Sequence, residues 1–333
     1  TAAVGTIDDV PAATLLLPYF EVDLNSADGV NTLFSVNNAS ANSQLAHVTI
    51  WTDWSVPVID FDIYLTGFDV QTINLRDLIA NGVLPQTGPA SPPAGPSPLG
   101  PLSGPHDTFG GTCSASPGQI PNYNPISPTF LSVIQAALTG EAIPAGSSAG
   151  LCAASSYGDN IARGYVTVDN VSECSQDFPN DPGYFIDGGL GTANNENYLW
   201  GDYFIVDSAN NFAQGETLVH IEAAAGLNGD AGTLSGTYYY RYSNGADNRE
   251  ALGNIYAVRY LNGGAFTGGT DLLVWRDSGS PSASPVTCGT FPSWGPLNQT
   301  LIQSFDEEEQ VIEQAEGPSG FDPGTEIPFP WET

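Results

Sequence analysis

Asp60-Phe61-Asp62-Ile63-Tyr64 alternates acidic and aromatic or aliphatic side chains, and this segment decides the fold class. A period of two places alternate side chains on opposite faces of a β-strand, so the segment predicts a strand with one buried and one solvated face. Short turns rich in Asn, Ser, Pro and Gly separate it from similar runs, which together occupy residues 32–36, 45–51, 58–65 and 68–75. Four strands spaced about ten residues apart are typical of a β-sandwich.

The second half of the chain continues the strand pattern. Runs rich in β-branched and aromatic residues predict six further strands, at residues 163–169, 199–207, 217–222, 236–242, 254–261 and 271–276. One helix is predicted over Pro128–Leu138, with Gly140 as its stop. Strands do not alternate with ten-residue helices, which disfavours an α/β fold. We therefore predict an all-β protein with an antiparallel β-sandwich-like core.

Two segments depart from this core. Residues 85–160 form a Pro/Gly-rich insertion that contains the one predicted helix and whose first part is too rich in Pro for regular ladders. The sandwich-like domain then ends at residue 305, and residues 306–333 are predicted as a short helix followed by an extended C-terminal arm. Acidic residues at 306–309 favour a helix start there, with the helix running through Ala315.

The arm, residues 317–333, is too short and too rich in Pro and Gly to fold alone, yet it carries large apolar side chains. They are Phe321, Ile327, Phe329 and Trp331. Burying each is worth about 1.5 to 3 kcal/mol, so we expect the arm to dock. It docks either back on its own domain or on a neighbouring copy. We favour the neighbour, because head-to-tail contacts propagate into filaments.

The charge balance excludes some partners. The chain has 37 Asp and Glu residues against 6 Lys and Arg, for a net charge of −31, and all six basic residues are Arg. Such a surface repels phosphate backbones and anionic headgroups, so neither nucleic acid nor a membrane surface is an expected partner. No run approaches the roughly 20 apolar residues that a membrane helix needs, so we expect no membrane insertion.

The four cysteines predict an oxidising compartment. Their wide spacing disfavours zinc and thioredoxin-type redox sites, and their even number suggests two disulfides. We favour the pairs Cys113–Cys152 and Cys174–Cys288. The first residues, Thr-Ala-Ala-Val-Gly, are typical of a mature end left by signal-peptide removal, so we expect an extracellular protein.

Three patterns carry candidate catalytic chemistry, and each has a simpler explanation. Ser148 lies in a GxSxG pattern, but the flanking Pro, Ala and Gly indicate a loop rather than a nucleophile elbow. Asp60 and Asp62 share a strand face and resemble a glycosidase carboxylate pair, but the solvated face of a half-buried strand explains them better. The histidines, His47, His106 and His220, are scattered and fit structural positions better than a metal site.

Calcium is the one cofactor for which the sequence offers ligands. An acidic loop that includes Gly183 contains four candidates: Asp177, Asn180, Asp181 and Asp187. Their spacing does not match an EF-hand, so solvated acids are favoured and no cofactor is expected, with calcium as the alternative. Three N-glycosylation sequons and the Ser/Thr/Pro-rich residues 87–105 leave glycans open as a further partner.

Several segments resemble uncharacterised secreted proteins of Gram-negative bacteria. They are Leu15–Val22, Val48–Asp53, Ile73–Asp77, Arg163–Asp169, Trp200–Asp207, Ala257–Gly264 and Gly269–Asp277. The chain is also similar to protomers of extracellular helical filaments from environmental fresh water. The first resemblance implies a secreted protein without assigned chemistry. The second implies a self-assembling appendage subunit and supplies no catalytic residues.

We therefore expect a non-enzymatic structural protein that polymerises with itself into an extracellular filament or surface appendage. The alternative is a secreted polysaccharide-binding or hydrolytic β module. That module would need a cleft with exposed aromatic residues and, for hydrolysis, two carboxylates about 5 to 10 Å apart.

Overall fold

The protein is all-β, with antiparallel sheets and short helices. The computed structural model describes residues 10–85, 126–173, 177–226, 238–252, 258, 273, 275, 283–292, 301–305 and 311–316, of which 240, 241, 301–304 and 311–316 are described by their backbone alone. The strands are β1 Thr14–Asp23, β2 Val30–Asn38, β3 Gln44–Thr52, β4 Pro57–Leu65, β5 Val70–Asn74, β6 Leu151–Cys152, β7 Ile161–Val171, β8 Leu199–Trp200, β9 Asp202–Asp207, β10 Phe212–Thr217, β11 Val219–Ile221, β12 Val286–Thr287, β13 Leu301–Phe305 and β14 Val311–Glu316. The helices are α1 Leu75–Ile79, α2 Pro128–Thr139 and α3 Tyr240–Ser243.

Two sheets pack against each other around one main core. The first sheet has the strand order β11-β1-β7-β3-β4, and the second has β10-β9-β2-β5 with β8 added beside β2. The inner side chains of both sheets meet in a single cluster, for example Val48 and Phe61 of the first sheet with Phe34 and Val36 of the second. The predicted β-sandwich and its four early strands are confirmed.

Strand β1 lies between β11 and β7 in the first sheet, although the sequence pattern does not predict it. Pro18 lies within it, and a proline normally argues against a central strand because it donates no hydrogen bond. The ladder with β7 shifts register between Leu17 and Phe20, so Pro18 falls in a bulge. The bulge lets a central strand tolerate a residue that cannot donate to its neighbour.

The helices follow local capping signals. Helix α2 confirms the prediction: the Ser127 side chain accepts from the Phe130 amide, and Gly140 ends the helix in the left-handed region with a φ of 70°. Helix α1 follows β5 directly, because the Asn74 side chain accepts from the Arg76 amide and turns the chain into a helix. Side chains of α2 pack in the main core.

The described part of the strand predicted at 236–242, residues 238–242, is not a strand. Residues 238 and 239 lie in a turn and residues 240–243 form α3. The Asp247 carboxylate explains the difference, because it accepts from the Tyr239 amide and from the Ser243 hydroxyl, each at 2.9 Å, and closes a helical turn. Within the predicted strand at 254–261 only residue 258 is described, and within 271–276 only residues 273 and 275 are described.

The predicted short helix near the C-terminus is also wrong where the chain is described. Residues 311–316 form strand β14, which pairs antiparallel with β13 and satisfies its backbone groups in a ladder. An acidic run favours a helix start only weakly, so the available pairing with β13 determines that residues 311–316 form a strand. The arm, residues 317–333, with Phe321, Ile327, Phe329 and Trp331, lies outside the described residues.

A disulfide joins Cys152 to Cys288, so both predicted pairings, Cys113–Cys152 and Cys174–Cys288, are wrong. The reason is topological: β6 and β12 pair antiparallel beside the bond, and the two Cα atoms lie 4.9 Å apart. Sequence spacing could not reveal this, because the bridged residues lie 136 positions apart. Cys113 and Cys174 lie outside the described residues, and elimination now makes them the expected second pair.

Peptide mapping without reduction should therefore recover one peptide pair joined at Cys152–Cys288 and another at Cys113–Cys174. Replacing both Cys152 and Cys288 by Ser should lower the free energy of unfolding by about 3 to 5 kcal/mol, because the bond closes a long loop in the unfolded chain. Urea denaturation measures the change. Recovery of Cys113–Cys152, or an unchanged unfolding midpoint in the double variant, would contradict the assignment.

Candidate functional site

The centre of the outer face of the first sheet is polar but completely buried. Its side chains include Thr14, His47, Thr49, Asp60, Asp62, Thr167 and Asp169, each with an exposed fraction of 0%. The predicted solvated face for Asp60 and Asp62 is therefore wrong. The alternation of the strand correctly separates two faces, but both faces are covered.

Among the described residues, two segments, residues 177–198 and 238–249, contribute to the cover. The Tyr184 and Tyr239 hydroxyls both donate to Asp169 Oδ2, at 2.9 and 3.1 Å. Burial, followed by the Asp169 charge, raises the pKa of each tyrosine well above its usual value, so both remain donors. The two segments are thus joined to the sheet at one carboxylate.

Arg249 supplies the positive charge at this point. Its side chain is almost fully buried, its Nη2 lies 3.7 Å from Asp169 Oδ1, and its Nε donates to the Thr14 hydroxyl at 2.9 Å. The same guanidinium donates to the carbonyls of Asp247 and Asn194, one in each covering segment. Arg249 therefore binds the sheet and both covering segments together.

His47 provides a second buried positive charge. Its Nδ1 lies 2.7 Å from Asp62 Oδ1 and its Nε2 lies 3.6 Å from Asp60 Oδ2. Burial lowers the pKa of His47, but Asp62, then Asp60 and Asp169, raise it more, to about 9. His47 is consequently an imidazolium at neutral pH, held among carboxylates.

Aromatic side chains complete the covered face. Trp51 stacks on Tyr165 and on Tyr242, with ring centroids 5.7 and 5.9 Å apart, and its Nε1 donates to Thr167. The covered face is thus a second core with a polar centre. Asp60 and Asp62 face the chain's own side chains, so this pair is not presented to an external glycoside.

The GxSxG pattern lies in a turn. Helix α2 precedes it and the short strand β6 follows, which is the reverse of the strand–turn–helix order that a nucleophile elbow requires. His220 lies in β11, where its ring contacts Trp200 and Gly201. The turn at Ser148 thus lacks the local structure of the motif. His106 lies outside the described residues.

The four calcium candidates lie in the covering segment 177–198. The Asp181 carboxylate accepts from the Phe178 amide of its own loop, whereas the Asp187 carboxylate accepts from Asn248. Asp177 and Asn180 are half-buried near the start of the segment. In the described part of the chain, no group of three or more His, Cys, Asp or Glu side chains is arranged to hold a metal ion.

The outer face of the second sheet is open. Residues that pair across its strands share this face: Asn31, Leu33, Ser35 and Asn37 of β2, Val70, Thr72 and Asn74 of β5, Asp202, Phe204 and Val206 of β9, and Ala213, Gly215 and Thr217 of β10. We call this set the open face. Its side chains are half-buried or exposed, with exposed fractions of 55% for Val70 and 48% for Phe204.

The open face carries very little charge. Asp202 is its single carboxylate among the paired positions, and it accepts a hydrogen bond from Ser35 across the strands. The other positions are aliphatic, aromatic, amide or hydroxyl side chains or glycine. In a chain with 37 acidic residues, this is a nearly neutral and partly apolar patch. Sequence reasoning missed the patch, because its members come from four strands whose pairing the sequence does not reveal.

No known protein family, curated protein or solved structure matches the chain. The helices within the described ranges are all too short or too polar to cross a membrane.

The shifted pKa of His47 predicts alkaline sensitivity. Its pKa of about 9 in the folded protein exceeds the ordinary value of 6.5, so its stabilising effect is complete below pH 6.5 and is lost as the pH rises through about 9. We expect the free energy of unfolding to fall by on the order of 3 kcal/mol across this window. Burial raises the pKa of Asp53 to about 6, so this carboxyl titrates at a lower pH than the window over which His47 loses its proton.

NMR titration of the His47 imidazole and urea unfolding at pH 6.5 and 9.5 measure both quantities. The variant His220→Gln is the matched control and should keep the same pH dependence. A His47 pKa near 6.5, with flat stability over the window, would contradict the buried ion cluster.

Proposed function

We propose that this protein is the structural subunit of an extracellular filament or surface appendage, and that its copies pack through the open face. The observation that carries the proposal is the contrast between the two outer faces of the sandwich. The chain covers one face with its own segments 177–198 and 238–249. The described residues of the other face are half-buried or exposed, nearly neutral and partly apolar.

Charge favours a second copy as the occupant of the open face. Two chains of net charge −31 repel each other over most approaches, and the repulsion is weakest where each presents a neutral surface. The centres of protein–protein interfaces are depleted in charged residues, as this face is, and an exposed aromatic ring such as Phe204 is a common anchor in them. A basic partner would bind elsewhere, on the acidic surface.

The disulfide supports an extracellular location. A bond such as Cys152–Cys288 persists in oxidising compartments and is rare in the cytosol. A structural polymer outside the cell gains from such a bond, because it limits unfolding where no chaperone acts.

A polysaccharide-binding module is the second candidate, and the same face favours it. An exposed aromatic ring, Phe204, shares this face with the amide side chains of Asn31 and Asn74, and such a surface suits the apolar face and hydroxyls of a sugar ring. The two functions differ in their products. A subunit forms polymers of itself without any ligand, whereas a binding module stays monomeric and is retained on insoluble polysaccharide.

Charge introduced into the open face should block assembly. The double variant Val70→Glu/Phe204→Glu adds two carboxylates to each copy without touching the core, so we expect a folded monomer and at least a tenfold loss of polymer. Leu190→Glu is the matched control, because Leu190 is 78% exposed and lies in a covering segment on the other sheet. Negative-stain imaging and light scattering measure polymer.

The proposal requires that the unaltered chain forms filaments and that only the open-face variant loses them. An unaltered chain that stays monomeric at all concentrations, or that binds polysaccharide instead, would contradict the proposed function. Equal loss of polymer in the Leu190→Glu control would show a general charge effect rather than a specific face.

Assembly should also depend on cations. Packing chains of net charge −31 into a polymer costs repulsion that salt screens and divalent cations neutralise. We expect chelation of divalent cations at low ionic strength to shorten the filaments, and added monovalent salt to restore their length. Length distributions from images measure the effect. Unchanged lengths under chelation would rule out bridging by cations.

A further inference from the structure

The arm contains a short pattern with an unusual directional property: Ile327-Pro328-Phe329-Pro330-Trp331. In an extended strand, successive residues alternate in the face to which the side chain points and in the edge to which the N–H and C=O point. The three apolar side chains therefore share one face of the strand, and their three N–H groups share one edge. The prolines, which have no N–H, fall on the other edge.

Such a strand can pair along one edge only. The edge that carries the N–H groups can join a sheet, whereas the proline edge offers no donors to a further strand. The segment is thus suited to end a sheet rather than to extend it. It requires a host with an open strand edge and space for two aromatic rings on one face.

The described edges of the two main sheets differ in whether they are open. In the first sheet, β4 is buried from residue 59 to residue 63, and β11 has only three residues. In the second sheet, residues 83–85 lie beside the edge strand β5. Together with β5 they line a cavity of about 230 Å³, so this edge is partly occupied. The remaining edge is β10, and its residues are exposed or half-buried throughout.

The residues of β10 leave room beside the open face. On this face, β10 contributes the small residues Ala213 and Gly215, which pair with Val206 and Phe204 of β9. Both small residues are exposed. The Phe204 ring lies over Gly215, since a Cβ atom placed there would be 2.4 Å from a ring carbon. An incoming strand beside β10 would find a shelf of small residues and the exposed half of an aromatic ring.

We propose that residues 327–331 of one copy pair as an added strand with β10 of the next copy, with Phe329 and Trp331 packed on the shelf of Ala213 and Gly215 beside Phe204. This inference rests on the proposed filament function and names the contact that joins neighbours. The contact is heterologous, because arm and β10 edge are different surfaces. It therefore propagates as a head-to-tail chain of copies.

Two full-length variants test the direction of the contact. Ile327→Asp/Phe329→Asp/Trp331→Asp removes the donor strand, and Ala213→Glu places a charge on the acceptor shelf. Neither variant should polymerise alone, whereas their mixture should form a one-to-one heterodimer, seen by sedimentation. Normal filaments from either variant would overturn the inference while leaving the proposed function intact.

A synthetic peptide of residues 317–333 tests the strand pairing itself. It is added to the triple-Asp variant, which lacks its own donor strand, and its binding can be measured whether or not filaments form. N-methylation at Phe329 removes an N–H from the pairing edge and should weaken binding about tenfold or more, whereas Pro328→Ala changes the other edge and should have little effect. Equal binding of all three peptides would overturn strand pairing, and so would no binding at all.

Discussion

The buried charges on the covered face are the constraint on which the rest of the structure depends. An ion removed from water costs several kcal/mol unless a partner compensates it, so His47 and Arg249 are stable only beside Asp62, Asp60 and Asp169. The Arg249 guanidinium also donates hydrogen bonds to a backbone carbonyl in each of the two covering segments. Sheet and cover are therefore held as one unit, because separating them would expose or unpair these charges.

This constraint decides which surface is left for other molecules. A sandwich has two outer faces, and in this protein the chain itself occupies one of them with Tyr184, Tyr239 and the stacked rings around Trp51. The other face lies open and carries one carboxylate. A strongly acidic chain that keeps one face neutral is suited to contact surfaces that are acidic elsewhere, and its own copies have that property.

The sequence revealed the strands but not their environment. The alternation around Asp60 separated two faces correctly, yet it could not show that segments more than a hundred residues later cover the acidic one. Pro18 hid strand β1, since only the register of β7 shows the bulge that accommodates it. The acidic run before Val311 favoured a helix, but pairing with β13 prevailed. Long-range pairing also explains why the Cys152–Cys288 bond was missed.

Residue-resolved hydrogen exchange on the monomer and on the assembled polymer tests the division between a covered and an open face most directly. We expect amides of β3 and β7 to exchange slowly in both states, because the chain's own segments cover them. Amides of β9 are already held in ladders with β2 and β10, so the gain in protection on assembly should appear on β10, which has a paired neighbour on one side only among the described strands. New protection confined to residues 177–198 and 238–249, with β10 unchanged, would contradict the division and assign assembly to the wrong side of the sandwich.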